Sequence, residues 1–107
     1  ARKKWIISSL SSTSKIYIDH GASKAVKSGK SLLPSGIVKI SGNFKKGDNI
    51  LIVDASNKDV ARALSSFSSE EINRIKGLQS AQIENILGYA SKSEIAHKDD
   101  IVILWKN

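Results

Sequence analysis

Lys24, Lys27 and Lys30 recur every three residues along a stretch in which Ala22, Ala25 and Val26 sit at helical spacing. Side chains three apart on a helix are neighbours, so Lys24 and Lys27 share a face. Lys30 carries the row past Gly29, a residue type that takes positive φ freely and lets another backbone pass close by. Ammonium groups at a helix end beside a glycine loop, with exposed amides, suit the phosphates of a nucleic acid. Lys39, Lys45 and Lys46 are expected to extend the patch. Residues 1–47 hold ten basic residues and one acidic residue, Asp19, whereas residues 48–107 hold seven basic and nine acidic. The net charge of +7 thus divides into +9 and −2. Such asymmetry points to an anionic partner for the first half, nucleic acid above all.

Other chemistries find less support. Gly29-Lys30-Ser31 matches the tail of a phosphate-binding P-loop, which also needs a glycine five positions before its Gly-Lys pair and a strand ahead of it. Lys24 occupies that glycine position, a helix precedes the loop and a proline turn follows. His97-Lys98-Asp99-Asp100 brings a histidine near two carboxylates, but His20 is the only other histidine and there is no cysteine to complete a soft-metal set. That tetrapeptide reads as a charged hairpin corner, with His97 bonded to nearby backbone. Serines are abundant, yet no Gly-x-Ser-x-Gly elbow occurs. Neither a catalytic constellation nor a cofactor site is expected in this chain.

The elements that must position the lysines fit one domain. The chain has 107 residues, 40% apolar and 25% charged, ordinary values for a folded protein with one core. The absence of cysteine excludes a disulfide framework and fits a reducing, cytoplasmic setting. No apolar run approaches the roughly 18 residues of a membrane-spanning helix. Ala1-Arg2-Lys3-Lys4-Trp5 has the basic head of a signal peptide without the apolar stretch behind it. The first residue is not Met, which suggests a piece of a longer chain.

The serine-rich stretch 8–14 reads as loop, and 1–14 as an N-terminal linker. Lys15-Ile16-Tyr17-Ile18 reads as a strand, followed by a helix over 22–28 with Asp19 or Ser23 as cap and Gly29 at its stop. Leu32 to Gly36, with the only proline, reads as a turn. Strands are predicted over 37–40, 49–53 and 59–65, with corners at Gly42-Asn43, Gly47-Asp48 and Ser56-Asn57-Lys58. Ser68 and Glu71 fit a capping box. The helix it opens ends near Gly77, and a second runs from Ser80 to Gly88. Glu94 to His97 and Ile101 to Trp105 close the chain as strands. Phe44 and Phe67 are assigned to the core. Trp5 and Trp105 discriminate between functions, since their exposure on an apolar patch away from the lysines would favour an interdomain contact. The physical reading is a small, mainly β, barrel-like domain with short appended helices.

Gly21-Ala22 through Gly29-Lys30-Ser31-Leu32-Leu33-Pro34-Ser35-Gly36-Ile37 resembles the signature of PUA domains, small RNA-binding pseudo-barrels. Ala1 to Ile6, Gly42-Asn43-Phe44-Lys45-Lys46-Gly47-Asp48, Ser68 to Ile72 with Ile75-Lys76-Gly77, Ile83 to Tyr89, and His97-Lys98-Asp99-Asp100 are similar to the C-terminal PUA domain of glutamate 5-kinases. The motifs run in order over nearly the whole chain, and residues 8–14 fit least well. The resemblance implies a mainly β PUA-like pseudo-barrel over 15–107 with short flanking α-helices. It implies a parent enzyme that phosphorylates L-glutamate with ATP and magnesium in proline biosynthesis. That active site would belong to an amino-acid-kinase domain, so no catalytic residue carries over. The RNA surface of PUA domains maps onto Lys24, Lys27, Ser28, Gly29, Lys30, Ser31, Leu32 and Leu33. The expected partners are structured RNA, the kinase domain in cis, and further copies of a homo-oligomeric parent. A module that regulates the kinase domain without RNA is the alternative.

Overall fold

The computed structural model describes residues 14–89 and 92–104. Strand β1 (Lys15–Ile18) sends Ile16 and Ile18 into the core while Lys15 and Tyr17 stay half-buried, the period-2 alternation of a one-sided strand. Helix α1 (His20–Lys27) begins two residues before the expected start. The reason is local: Asp19 is the N-cap, and its Oδ1 accepts from the Ala22 amide at 2.8 Å. Ser28 closes the helix, and Gly29 at φ 88° takes the left-handed residue that follows.

Strands β2 (Ile37–Ser41), β3 (Asn49–Val53), β4 (Asp59–Leu64) and β5 (Ile101–Ile103) complete one mixed sheet ordered β2-β1-β3-β4-β5. Strand β1 is antiparallel to β2, with Tyr17 opposite Lys39, and parallel to β3, with Lys15 opposite Leu51. The remaining neighbours are antiparallel. Strand β3 carries four consecutive apolar residues and lies inside the sheet, with Ile50, Ile52 and Val53 almost wholly buried.

Helices α2 (Ser69–Ile75) and α3 (Ile83–Leu87) pack against each other. The expected capping box is present: Ser68 Oγ accepts from the Glu71 amide, and Glu71 Oε1 accepts from the Ser68 amide at 2.8 Å. Glu71 also accepts from the Tyr89 hydroxyl, and Arg74 donates to the Ile86 carbonyl, so α2 is tied to the end of α3. The second helix opens as a 3-10 turn over Ser80–Gln82 and stops at Gly88, φ 84°.

Glu94 to His97 does not form a strand. Its backbone bonds divide between two partners: the Ile95 amide donates to the Leu32 carbonyl at 2.8 Å, and the Ile95 carbonyl accepts from Ser66 at 2.8 Å. The antiparallel bridge between Leu32 and Ala96 is the consequence. Because Leu32 precedes β2 and Ala96 precedes β5, this bridge joins the segments that lead into the sheet's two outer strands. The core runs from Ile16, Ile18 and Val26 through Ile50 and Ile52 to Phe44, Phe67, Ile72, Ile75 and Ile95. Both phenylalanines are in it. Trp5, Trp105 and residues 8–13 lie outside the described residues. Among the described residues no helix is long and apolar enough to cross a membrane.

Candidate nucleic-acid interface

Helix α1 buries Ser23 and Val26 and leaves its lysines outside. At about 100° per residue, His20, Lys24 and Lys27 form one stripe and Gly21, Ala22 and Ala25 another, roughly 150° apart. The two stripes border the helix on opposite flanks. Lys24 and Lys27 lie in the last turn, where they offset the partial negative charge of the helix C-terminus. The Ser28 hydroxyl donates to the Lys24 carbonyl at 2.9 Å, and the Lys30 amide donates to Ala25 at 3.0 Å. These bonds wrap the glycine loop over the helix end and bring Lys30 back beside it, so Lys24, Lys27 and Lys30 are exposed around one corner.

The small-residue flank faces a cleft of about 220 Å³ lined by Asp19, Ala22, Ala25, Ser31, Leu33 and Gly36, among others. The cleft exists because the turn Pro34–Gly36 lies directly on the helix. A Cβ on Gly36 would come 2.4 Å from the Ala22 Cβ, so glycine is required by close approach. Ser31 and Leu33 border the opening. Leu33 is 46% exposed, whereas Leu32 is 1% exposed and packs into the core. Of the eight residues expected to form the site, Leu32 therefore turns its side chain into the core, and its backbone holds the Ala96 bridge.

Lys39 sits at the same end of the molecule, and Lys45 and Lys46 do not. Strands β1 and β3 are parallel. Helix α1 and the 54–58 turn follow their C-terminal ends, whereas the 42–48 loop leads into the start of β3. That loop packs on the beginning of α2, where the Phe44 carbonyl accepts from Ser69 at 2.9 Å. The expected extension through Lys45 and Lys46 is thus corrected by the strand directions, which a linear run of lysines does not reveal.

Two contributors are illegible in the sequence. The Lys98 amide donates to Ser31 Oγ at 2.9 Å across 67 residues, so the His97–Asp100 corner buttresses the glycine loop. His97 Nδ1 accepts from the Asp99 amide at 3.1 Å, as expected of a histidine bonded to nearby backbone. The other contributor is Tyr17, whose ring lies 4.7 Å from Lys39 Nζ. Their cross-strand register explains the contact. Among the described residues no group of three His, Cys, Asp or Glu side chains could hold a metal ion.

A family model described as PUA domain matches residues 14–87. The chain belongs to the PUA domain family. A glutamate 5-kinase from Pelagibacter ubique (strain HTCC1062) is 59% identical over 102 residues, covering 95% of this chain and 28% of that protein. The chain is therefore homologous to a PUA domain of glutamate 5-kinases and spans 28% of the length of this relative. Among solved structures, a PUA domain from Aeropyrum pernix K1 superposes with a TM-score of 0.58 at 18% identity, over 78% of this chain and 41% of that one. A chain of the archaeal box H/ACA sRNP Nop10–Cbf5 complex gives a TM-score of 0.56 at 26% identity, over 85% of this chain and 23% of that one. The mainly β sheet with short flanking helices is thus the PUA fold.

Proposed function

We propose that this PUA domain is the C-terminal domain of a glutamate 5-kinase and that its α1 and glycine-loop face binds structured RNA. The observation that carries the RNA reading is the exposure of Lys24, Lys27 and Lys30 around the C-terminal corner of α1, whose other flank borders the cleft walled by Gly36. Support comes from the +9 charge of residues 1–47 and from the likeness to a chain of an archaeal sRNP complex. Lys24, Lys27 and Lys30 supply ammonium groups to phosphates, the backbone of Ser28, Gly29 and Leu32 shapes the loop, and Ser31 and Leu33 line the opening. Contacts of this kind fix a backbone in place without reading its sequence.

Within the parent enzyme, ATP and magnesium would serve phosphorylation of L-glutamate in an amino-acid-kinase domain joined in cis. This chain contributes binding and no catalytic residue. A cytoplasmic, homo-oligomeric kinase is the setting the reading implies.

Binding to phosphates releases counterions, so affinity falls as salt rises. Titration of the domain with an RNA hairpin at low and moderate salt should give salt-sensitive binding. Lys27→Ala and Lys30→Ala should each weaken it, while Lys45→Ala, at the far end of the sheet, should not. Binding that ignores salt, or none at low salt, would remove the RNA reading.

A further inference from the structure

We propose that Arg62 anchors a docking surface on the sheet that takes a carboxylate from the kinase portion of the parent chain. The inference rests on the reading of this chain as the C-terminal domain of a glutamate 5-kinase, and it is independent of the RNA reading. Strand β4 sets Arg62 opposite Leu51 of β3 and Val102 of β5. Its neighbours Ala61 and Ala63 belong to the core, so strand alternation puts Arg62 on the other face of the sheet. The residue is nevertheless only 8% exposed. Its Nη1 donates to Asn49 Oδ1 at 3.0 Å, a neutral partner. All ten acidic side chains of the chain lie among the described residues, and none of them pairs with Arg62. Arginine is rarely buried to this degree unless it is paired. This chain has no side-chain carboxylate in place to pair it.

The surroundings say what kind of group fits. Among the described residues no buried side-chain nitrogen or oxygen lacks a partner. The guanidinium nitrogens that Asn49 leaves therefore reach the surface. They are donors in a planar fork, which suits a carboxylate that accepts two parallel bonds. Asn49 already fixes the orientation of Arg62, so less rotamer freedom is lost on binding. Leu51, Leu64 and Val102 lie around it on the same face, each half-buried. Lys15, opposite Leu51, adds a second cation. A buried arginine among apolar side chains is the make-up of the centre of a protein–protein contact, whereas the phosphates of a nucleic acid are met by exposed lysines such as those of α1. The patch thus calls for an acidic side chain with apolar neighbours. The length of the relatives indicates its source. The chain spans 28% of its glutamate 5-kinase relative, so most of such a parent lies outside this domain. A covalently joined domain is present at high effective concentration, an advantage that a second copy of this chain does not share.

The test is hydroxyl-radical footprinting of the full parent chain beside the domain alone. Leu51, Leu64 and Val102 should react less in the parent, while Leu33, 46% exposed beside α1, should react equally in both. In the parent, Arg62→Gln should return the three side chains to the reactivity of the free domain, because the docked-to-free ratio falls by roughly 30-fold or more when an anchoring arginine is truncated. Arg62→Lys keeps the charge without the fork and should keep part of the protection. Urea unfolding of the Arg62→Gln domain checks that the fold survives. Lys15→Glu leaves Arg62 and Asn49 in place and gives the patch a carboxylate of its own, so it should release the docked domain even if Arg62→Gln unfolds. Equal reactivity of the three side chains in the parent and in the free domain would overturn the docking. Protection that grows with protein concentration would assign the patch to a second copy, and protection of the free domain by an RNA hairpin would assign it to nucleic acid; either result overturns the proposal. A parent whose upstream sequence encodes no kinase domain would remove the kinase reading itself, a failure seen before any footprint is taken.

Discussion

Replacing Gly36 by alanine probes the contact that shapes the glycine-loop cleft. Gly36 does not lie in the left-handed region, so alanine meets no backbone penalty there and the effect is steric. The new Cβ would lie 2.4 Å from the Ala22 Cβ, whereas carbon atoms settle at about 3.5–4.0 Å. Relief requires roughly 1 Å of separation, and both sides are anchored. The Gly36 carbonyl accepts from the Asp19 amide at 3.0 Å, its amide donates to Leu33 at 3.2 Å, and Asp19 caps the helix that carries Ala22. Overpacking of this kind costs about 1–3 kcal/mol, and a strained or lost hydrogen bond adds about 1 kcal/mol. We expect Gly36→Ala to lower stability by about 2–3 kcal/mol. Urea unfolding reads this as a midpoint lowered by roughly 1–2 M. The decisive variant combines it with Ala22→Gly, because the nearest remaining atom, the Ala22 Cα, is 3.6 Å from the new methyl group, an ordinary contact. Ala22→Gly alone should cost about 1 kcal/mol in helix propensity. If the clash is the cause, the double variant is about as stable as Ala22→Gly alone, a coupling of roughly 2 kcal/mol. Additive losses, or a Gly36→Ala protein that unfolds with the wild type, would refute the reasoning.

Two further outcomes follow from the support of α2 and of the glycine loop. Partial burial pushes the Glu71 carboxyl up, but hydrogen bonds from Tyr89 and from the Ser68 backbone and hydroxyl, with Lys46 nearby, outweigh it and hold the group below its ordinary value of 4.5. A depressed carboxylate stabilises the fold above its unfolded pKa and loses that contribution as pH falls through the folded value. The stability advantage of wild type over Glu71→Gln should therefore be full at neutral pH and shrink below pH 4.5; a difference constant from pH 7 to 3 would contradict it. Ile95→Ala empties a wholly buried position behind the Leu32 bridge and should cost roughly 2–5 kcal/mol by chemical denaturation. A cost under about 1 kcal/mol would mean that the site collapses around the smaller side chain.

Local rules carried much of the fold into the sequence. Strand β3 was legible because an apolar run bounded by polar corners suits a strand buried on both faces, and it spans Asn49–Val53 as expected. The Ser68–Glu71 box and the glycines at 29, 77 and 88 were legible because caps and positive φ depend on near neighbours only. The start of α1 was displaced because either Asp19 or Ser23 satisfies the same capping rule, and the neighbouring strand settles which is outside the helix. Glu94 to His97 has the pattern of a strand but forms none, because its apolar residues are buried without a continuous partner strand. The site was legible in the same uneven way. Lys24, Lys27 and Gly29 sit close in sequence and stay close in space. Leu32 adjoins them in sequence, although the Ala96 bridge turns its side chain inward.

The sequence alone determined which residues are charged, where caps and turns fall, and that the positive charge belongs to the first 47 residues. The tertiary structure decided which of those charges lie at the same end of the sheet. The antiparallel register of β1 with β2 sets Lys39 opposite Tyr17, towards the end of the sheet that holds α1, and the parallel pairing of β1 with β3 leaves Lys45 and Lys46 at the other end. The Ser31–Lys98 bond and the Gly36–Ala22 contact likewise join positions far apart in the chain. The physical reason is range. Backbone geometry and capping act over a few residues, whereas strand direction and close packing are settled only when distant segments share one core.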